Sequence, residues 1–143
     1  MPLTYEIDSK RRLIIARGHG VLSHDDVVLY QTTVWSQPEV RGFDEIVDVS
    51  GVERIEHPPS QQVRETAGLS AAMDSGQKSR FAIVASEFGA YGLARMYQTY
   101  RGLQPKSMKE VAVFRSFEEA WQWIASERRS APQSQSGAEK PVR

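Results

Sequence analysis

Four short, mostly apolar runs recur along the chain, and a helix-length segment separates each run from the next. The runs cover residues 13–16, 46–49, 81–85 and 111–114. Such runs are typical of strands buried inside a sheet, and their alternation with helices is typical of parallel strands joined by right-handed crossovers. The spacing therefore predicts an α/β domain with helices packed on a central sheet.

An opening hairpin precedes this alternation. Residues 3–8 alternate strictly between apolar and polar side chains, which indicates an edge strand with one buried face. A polar turn at residues 9–11 joins this strand to the run that begins at Leu13. The segment Gly18-His19-Gly20 is expected to form a bulge or tight bend where the second strand ends.

Serine residues precede the helical segments, and serine is a preferred N-cap because its hydroxyl accepts a free backbone N–H. The expected caps are Ser23, Ser60, Ser86 and Ser116. Gly102 is expected to end the third helix in a left-handed conformation. The predicted order is ββαβαβαβα, which gives a mixed sheet of four to five strands with about four helices.

Length, charge and composition restrict the class of protein further. The chain has 143 residues, no cysteine, and equal numbers of acidic and basic residues. We expect one domain over residues 1–128 and a disordered tail over residues 129–143, where large apolar side chains are scarce. Zero net charge argues against a nucleic-acid partner, and no apolar run approaches the ~20 residues of a membrane span. With no export signal at the N-terminus, the sequence predicts a cytoplasmic protein.

The segment after the third predicted strand, residues 48–56 with the sequence DVSGVERIE, resembles a motif of the STAS domain. This domain is the fold of bacterial anti-sigma-factor antagonists and is also called SpoIIAA-like. The segment GLARM at residues 92–96 resembles a helix found in uncharacterised bacterial proteins of the same fold. The resemblance covers about residues 3–125 and implies a STAS fold, with protein-interaction or signalling roles.

The chain departs from the family where signalling members carry Asp-Ser-Ser-Gly, whose second serine is phosphorylated. The corresponding residues here are Glu56, His57, Pro58 and Pro59. Proline has no hydroxyl group, so the resemblance implies that the phospho-switch is absent at Pro58. Ser60 is expected to cap the second helix, with a regulatory phosphorylation site as the alternative. The predicted partner region comprises Asp48, Ser50, Glu56, His57, Pro58 and Ser60.

The sequence contains residue types of catalytic and metal sites, but simpler structural roles account for them. Asp48, Ser50 and His57 contain the residue types of a hydrolase triad, but no G-x-S-x-G elbow presents the serine. We expect Asp48 and Ser50 to satisfy backbone N–H groups in a turn instead. The three histidines, His19, His24 and His57, lack the spacing of a closed zinc site. The sequence therefore predicts no catalytic residues, no metal and no cofactor.

The third predicted helix carries aromatic and methionine side chains on a second face, beside the stripe expected to be buried. Such residues are enriched in protein–protein interfaces. The candidate interface residues are Phe88, Tyr91, Arg95, Met96 and, on the last helix, Trp123.

Two functional hypotheses follow. The first is a non-enzymatic STAS-like interaction module with a protein partner, acting as a homodimer. The alternative is a small-ligand or lipid-binding protein with an apolar pocket between the sheet and the helices.

Overall fold

The computed structural model describes residues 2–73, 77–104 and 108–129. The strands are β1 (Leu3–Asp8), β2 (Leu13–Gly18), β3 (Gly20–Leu22), β4 (Asp44–Asp48), β5 (Val52–Ile55), β6 (Ser79–Val84) and β7 (Lys109–Phe114). The helices are α1 (His24–Val34), a 3₁₀ turn at Pro38–Val40, α2 (Ser60–Ala72), α3 (Phe88–Gly102) and α4 (Phe117–Arg129). Residues 130–143, nearly all of the predicted tail, lie outside the described residues.

The main sheet has five strands in the order β1-β2-β4-β6-β7. β1 is antiparallel to β2 and lies at one edge, as the alternating pattern predicts, whereas the other neighbouring pairs are parallel. β4 lies at the centre, and its residues from Glu45 to Asp48 are buried, although two of them are acidic. The predicted α/β architecture of five main strands and four helices is confirmed.

A second, two-stranded sheet pairs β3 with β5 in parallel and was not predicted from the sequence. A register shift lies between Gly20 and Val21, and Gly20 has a φ of 63°, a left-handed conformation that favours glycine. The bend expected around His19 is therefore present, and the chain continues from it into a short additional strand.

Two apolar cores cover the two faces of the main sheet. One core contains Tyr30 and Val34 of α1 together with Val47 and Phe81 of the sheet. The other core contains Trp121 and its neighbours on α4. Within the described residues, α2 packs mainly on α3 rather than on the sheet, and this arrangement leaves space between α2 and the strands.

Two of the four expected serine caps are confirmed. Ser23 forms a full capping box with Asp26, and the Ser116 hydroxyl accepts the Glu119 N–H at 3.2 Å. The prediction for Ser60 is wrong, because Pro59 occupies the N-cap of α2 and Ser60 is the first helical residue.

The prediction for Ser86 is also wrong, because Glu87 caps α3. The longer Glu87 side chain reaches forward, and its carboxylate accepts the Gly89 N–H at 3.0 Å. The prediction for Gly102 is wrong as well. Gly102 is the last residue of α3 and has no positive φ, and the C-cap residue that follows, Leu103, has a right-handed backbone.

Candidate functional site

A cavity of about 140 Å³ lies between the main sheet and helices α1, α2 and α3. Its floor is formed by Val47, Phe81 and Ile83, which point from neighbouring parallel strands toward the helices. Most of its lining is aliphatic or aromatic. Glu56 is the exposed member of the lining, so the cavity opens to solvent near this residue.

The cavity lies toward the carboxyl ends of the parallel strands. Val47 is the fourth residue of β4, Ile83 is the fifth of β6, and Val49 follows β4 directly. In open α/β sheets, ligands bind in crevices at this end of the strands, where loops and helix N-termini converge. The cavity therefore lies where ligands bind in folds of this class.

A hydrogen-bonded polar group closes the inner end of the cavity. The Ser70 hydroxyl of α2 donates to Gln31 Oε1 of α1 at 2.7 Å, and Gln31 Nε2 donates to the Tyr97 hydroxyl of α3 at 3.4 Å. Burial raises the pKa of Tyr97, although the nearby Arg101 guanidinium opposes this rise. These contacts join the three helices around the cavity.

A second polar contact lies nearer the opening. His24 Nε2 and Thr66 Oγ1 are 2.9 Å apart, and both residues line the cavity. This hydrogen bond links the first turn of α1 to the middle of α2. The cavity is thus apolar along its floor and has polar groups at two places on its helical side.

A separate charged cluster is buried at the amino end of the sheet. Glu45 is fully buried, accepts a hydrogen bond from the Tyr30 hydroxyl, and accepts Trp35 Nε1–H at 2.8 Å. Lys109 Nζ lies 3.9 Å from Glu45 Oε1 and 4.4 Å from the Trp35 ring centroid.

Burial raises the pKa of Glu45, and the charge of Lys109 opposes the rise. Burial, with the Glu45 charge as a further cause, raises the pKa of Tyr30 well above its usual value. Phe81 packs edge-on against Trp35 at 5.6 Å and Tyr97 at 6.3 Å, between this cluster and the cavity. The cluster ties α1 to the strands and lies at the end of the sheet opposite the ligand-binding end.

In the turn after β4, Asp48 and Ser50 are hydrogen-bonded to each other. Asp48 Oδ1 accepts the Ser50 backbone N–H at 2.9 Å and the Ser50 hydroxyl at 2.5 Å. The Ser50 hydroxyl therefore donates directly to a carboxylate, whereas a catalytic serine donates to a histidine. Within the described part of the chain, His57 makes no hydrogen bond with Ser50 or Asp48.

The predicted partner region divides between the cavity and the outer surface. Glu56 and Pro58 line the cavity opening. His57 is exposed and lies against the start of α3, where a Cβ on Gly89 would come within 3.3 Å of its ring. Ser60 lines a separate polar groove between α2 and α3, and its phosphorylation stays the alternative to the capping role.

Two of the three histidines make hydrogen bonds to threonine side chains. The rings of His19 and His24 are hydrogen-bonded to Thr4 and Thr66 respectively. Residues 2–73, 77–104 and 108–129 contain no cluster of three or more His, Asp or Glu side chains suited to a metal ion. Over the same ranges, no helix is both long and apolar enough to cross a bilayer.

The candidate interface residues on α3 form one partly exposed surface. Phe88 is 86% exposed, and Arg95 is also exposed. Tyr91 and Met96 are half-buried, and the Arg115 guanidinium lies 4.1 Å from the Tyr91 ring centroid.

The fifth candidate, Trp123, lies elsewhere. It belongs to α4 on the opposite face of the sheet, where its ring packs 5.4 Å from Phe114 and beneath Arg80 at 4.5 Å. The structure therefore places Trp123 apart from Phe88, and the five residues do not form one continuous surface.

Gln31, which lines the cavity, and its hydrogen-bond partner Ser70 were missed in the sequence analysis, although a signal for them exists. Gln31 follows Val27 by four positions, and Ser70 follows Val63 by seven, so both lie on buried helical stripes. A polar residue on such a stripe needs a buried hydrogen-bond partner. That requirement identifies Gln31 and Ser70 as members of a buried polar group.

Comparison with known proteins identifies the fold. No protein-family model matches the chain, and no curated protein matches it. Among solved structures, it is similar to an uncharacterized protein of the DUF3478 family with a SpoIIAA-like fold from Shewanella loihica PV-4. The two are 12% identical, the match covers 85% of this chain and 93% of that chain, and the TM-score is 0.52. The chain therefore has the SpoIIAA-like fold that its sequence resembles, and at this identity the similarity establishes the fold alone.

Proposed function

We propose that this protein is a non-catalytic binding protein that holds a small, largely apolar ligand in the cavity beneath α2. The cavity itself, about 140 Å³ with a mostly apolar lining, carries the proposal. Native cores contain few voids larger than a water molecule. An engineered apolar cavity of about 150 Å³ binds benzene, which sets the scale of ligand that fits.

The apolar character of the lining supports the same conclusion. Burial of apolar surface contributes about 25 cal/mol for each Å² removed from water. The cavity opens near Glu56, and most of the residues that line it are aliphatic or aromatic. A ligand that covers these side chains would therefore gain free energy from their burial.

The non-catalytic part of the proposal is supported by the turn after β4. Ser50 is engaged with Asp48 and is not positioned by His57. The test is a screen of acyl esters with wild-type protein and the Ser50→Ala variant. Equal background rates are expected, and hydrolysis that depends on Ser50 would contradict the proposal.

Ligand binding is tested by native mass spectrometry of protein purified under non-denaturing conditions from its own cells. We expect a non-covalent adduct of small mass on the wild-type chain. Ala90→Leu, which places three further carbons on the cavity wall, is expected to lose the adduct. Ala72→Leu makes the same change at an exposed position of α2 and is expected to keep it. An adduct that persists in Ala90→Leu, or is absent from all three proteins, would count against the proposal.

A second candidate function is a protein-interaction module that forms a homodimer, and the exposure of Phe88 favours it. A phenylalanine that is 86% exposed beside Tyr91 and Arg95 provides an apolar anchor of the kind that interfaces bury. Light scattering after size exclusion is expected to give the mass of a dimer at micromolar concentration. Phe88→Ser is expected to give a monomer, whereas Leu69→Ser, which alters an exposed leucine on α2, is expected to remain dimeric. A monomeric wild-type protein would exclude self-association.

A further inference from the structure

The cavity lining also constrains the chemistry of the ligand. We propose that the ligand is a neutral molecule with one hydrogen-bond acceptor, which accepts from the Gln31 side-chain amide at the inner end of the cavity. This inference rests on the proposed function, because it specifies which ligand the same cavity holds.

The charges of the lining disfavour an anionic ligand. Among the residues that line the cavity, Glu56 is the one that carries a formal charge, and it is negative and exposed at the opening. His24 is engaged with Thr66 through Nε2, and Tyr97 remains neutral because burial raises its pKa. The Arg101 guanidinium lies behind Tyr97, donates to its hydroxyl at 3.4 Å, and is not part of the lining. A buried carboxylate without a counter-charge carries a large desolvation cost, so a neutral ligand is favoured.

The inner end of the cavity has an under-used hydrogen-bond donor. Gln31 is 4% exposed, and its Oε1 accepts a good hydrogen bond from Ser70 at 2.7 Å. Its Nε2 carries two hydrogens, and within the described residues it makes one contact, to the Tyr97 hydroxyl at 3.4 Å. A length of 3.4 Å is beyond the usual range for N–H···O hydrogen bonds.

The side-chain amide nitrogen of Gln31 lies at the wall of the cavity. Gln31 and Tyr97 both line the cavity, so the amide nitrogen between them borders it. A buried N–H without a good acceptor is costly, and a carbonyl or ether oxygen of the ligand would remove that cost. The apolar floor of Val47, Phe81 and Ile83 would contact the remainder of the molecule.

Three probes of equal heavy-atom number test separately whether the ligand needs a hydrogen-bond acceptor and whether it must be neutral. Acetophenone carries an acceptor, isopropylbenzene is its apolar counterpart, and benzoate is its anionic counterpart. Binding is measured by calorimetry or ligand-observed NMR at pH 7 with the full chain. We expect acetophenone and isopropylbenzene to bind and benzoate not to bind at millimolar concentration.

The role of Gln31 is tested by how the preference for acetophenone over isopropylbenzene changes in a variant. In Gln31→Leu this preference should fall about fivefold, because one neutral hydrogen bond is lost. The single variant leaves the buried Ser70 hydroxyl without its acceptor and can unfold for that reason. The double variant Gln31→Leu with Ser70→Ala removes both partners of this hydrogen bond, so it is expected to fold and to give the same fall in preference. Thr99→Leu, on the exposed side of α3, is the control and should leave the preference unchanged.

The outcomes distinguish this inference from the proposed function. If both neutral probes bind but the preference is unchanged in the Gln31 variants, the cavity binds ligands and the inference about Gln31 is overturned. Benzoate binding tighter than acetophenone would overturn the claim of a neutral ligand. If none of the probes binds, the proposed function fails together with the inference.

Discussion

Filling the cavity from Ala90 tests the fold and the proposed function together. Ala90 is buried and lies on the cavity wall. Ala90→Leu adds three carbon atoms, and each buried methylene contributes about 0.8 kcal/mol, so the gain is about 2.4 kcal/mol. Ordering the new side chain costs about 0.5–1 kcal/mol. We therefore expect the ligand-free variant to be about 1–2 kcal/mol more stable than the ligand-free wild-type protein.

The measurement is urea denaturation of ligand-free protein, with Ala72→Leu as the exposed control. The control is expected to stay within about 0.5 kcal/mol of wild type. Inserting the same atoms into a fully packed core costs about 1–3 kcal/mol. A loss of stability in Ala90→Leu with an unchanged denaturant slope would therefore show that the space is not present, and the reasoning would be refuted.

Three further predictions concern residues outside the cavity floor. Ser23→Ala should lower the stability by about 1 kcal/mol in the same assay, because the capping box of α1 is lost, whereas Ser9→Ala in an exposed turn should not. Glu45→Gln should remove a pH dependence, because burial raises the folded-state pKa of Glu45 above its usual value of 4.5. The folded wild-type protein then binds this proton more tightly than the unfolded chain, so this stabilising contribution is complete below pH 4.5 and is lost as the pH rises through the raised pKa. Urea titrations at a series of pH values should show this fall in wild type and not in Glu45→Gln, and parallel curves would contradict it. Arg80→Ala should red-shift the tryptophan emission maximum by exposing Trp123, which the guanidinium covers at 4.5 Å, while Arg64→Ala should not.

The main sheet was predictable because its signals are local. The alternation in residues 3–8 identifies an edge strand, and the apolar run at 46–49 identifies the central strand, without knowledge of their partners. The caps at Ser23 and Ser116 were predictable for the same reason, since each bonds a residue three positions away. Local spacing thus specifies the elements and their order.

The cavity was expected only as a general possibility of the fold, and its details depend on distant contacts. It exists because α2 packs mainly on α3, and neither helix carries a local signal for that choice. Glu45 was overlooked because a carboxylate in a strand normally faces solvent. Here Tyr30 of α1, Trp35 just after α1 and Lys109 of the last strand cover it, and each is ten or more positions away in sequence. The short β3–β5 sheet has the same origin, since each segment becomes a strand only beside the other.

The most direct measurement is an NMR titration of the isotope-labelled full chain with acetophenone, observed at backbone and side-chain N–H groups. The account predicts saturable shifts that are largest at the Gln31 side-chain amide and at Thr66 and Ala94, with no comparable shift on α4. Shifts centred on Trp121 or Trp123, or no saturable shift at any residue, would contradict the claim that the space beneath α2 is a ligand site.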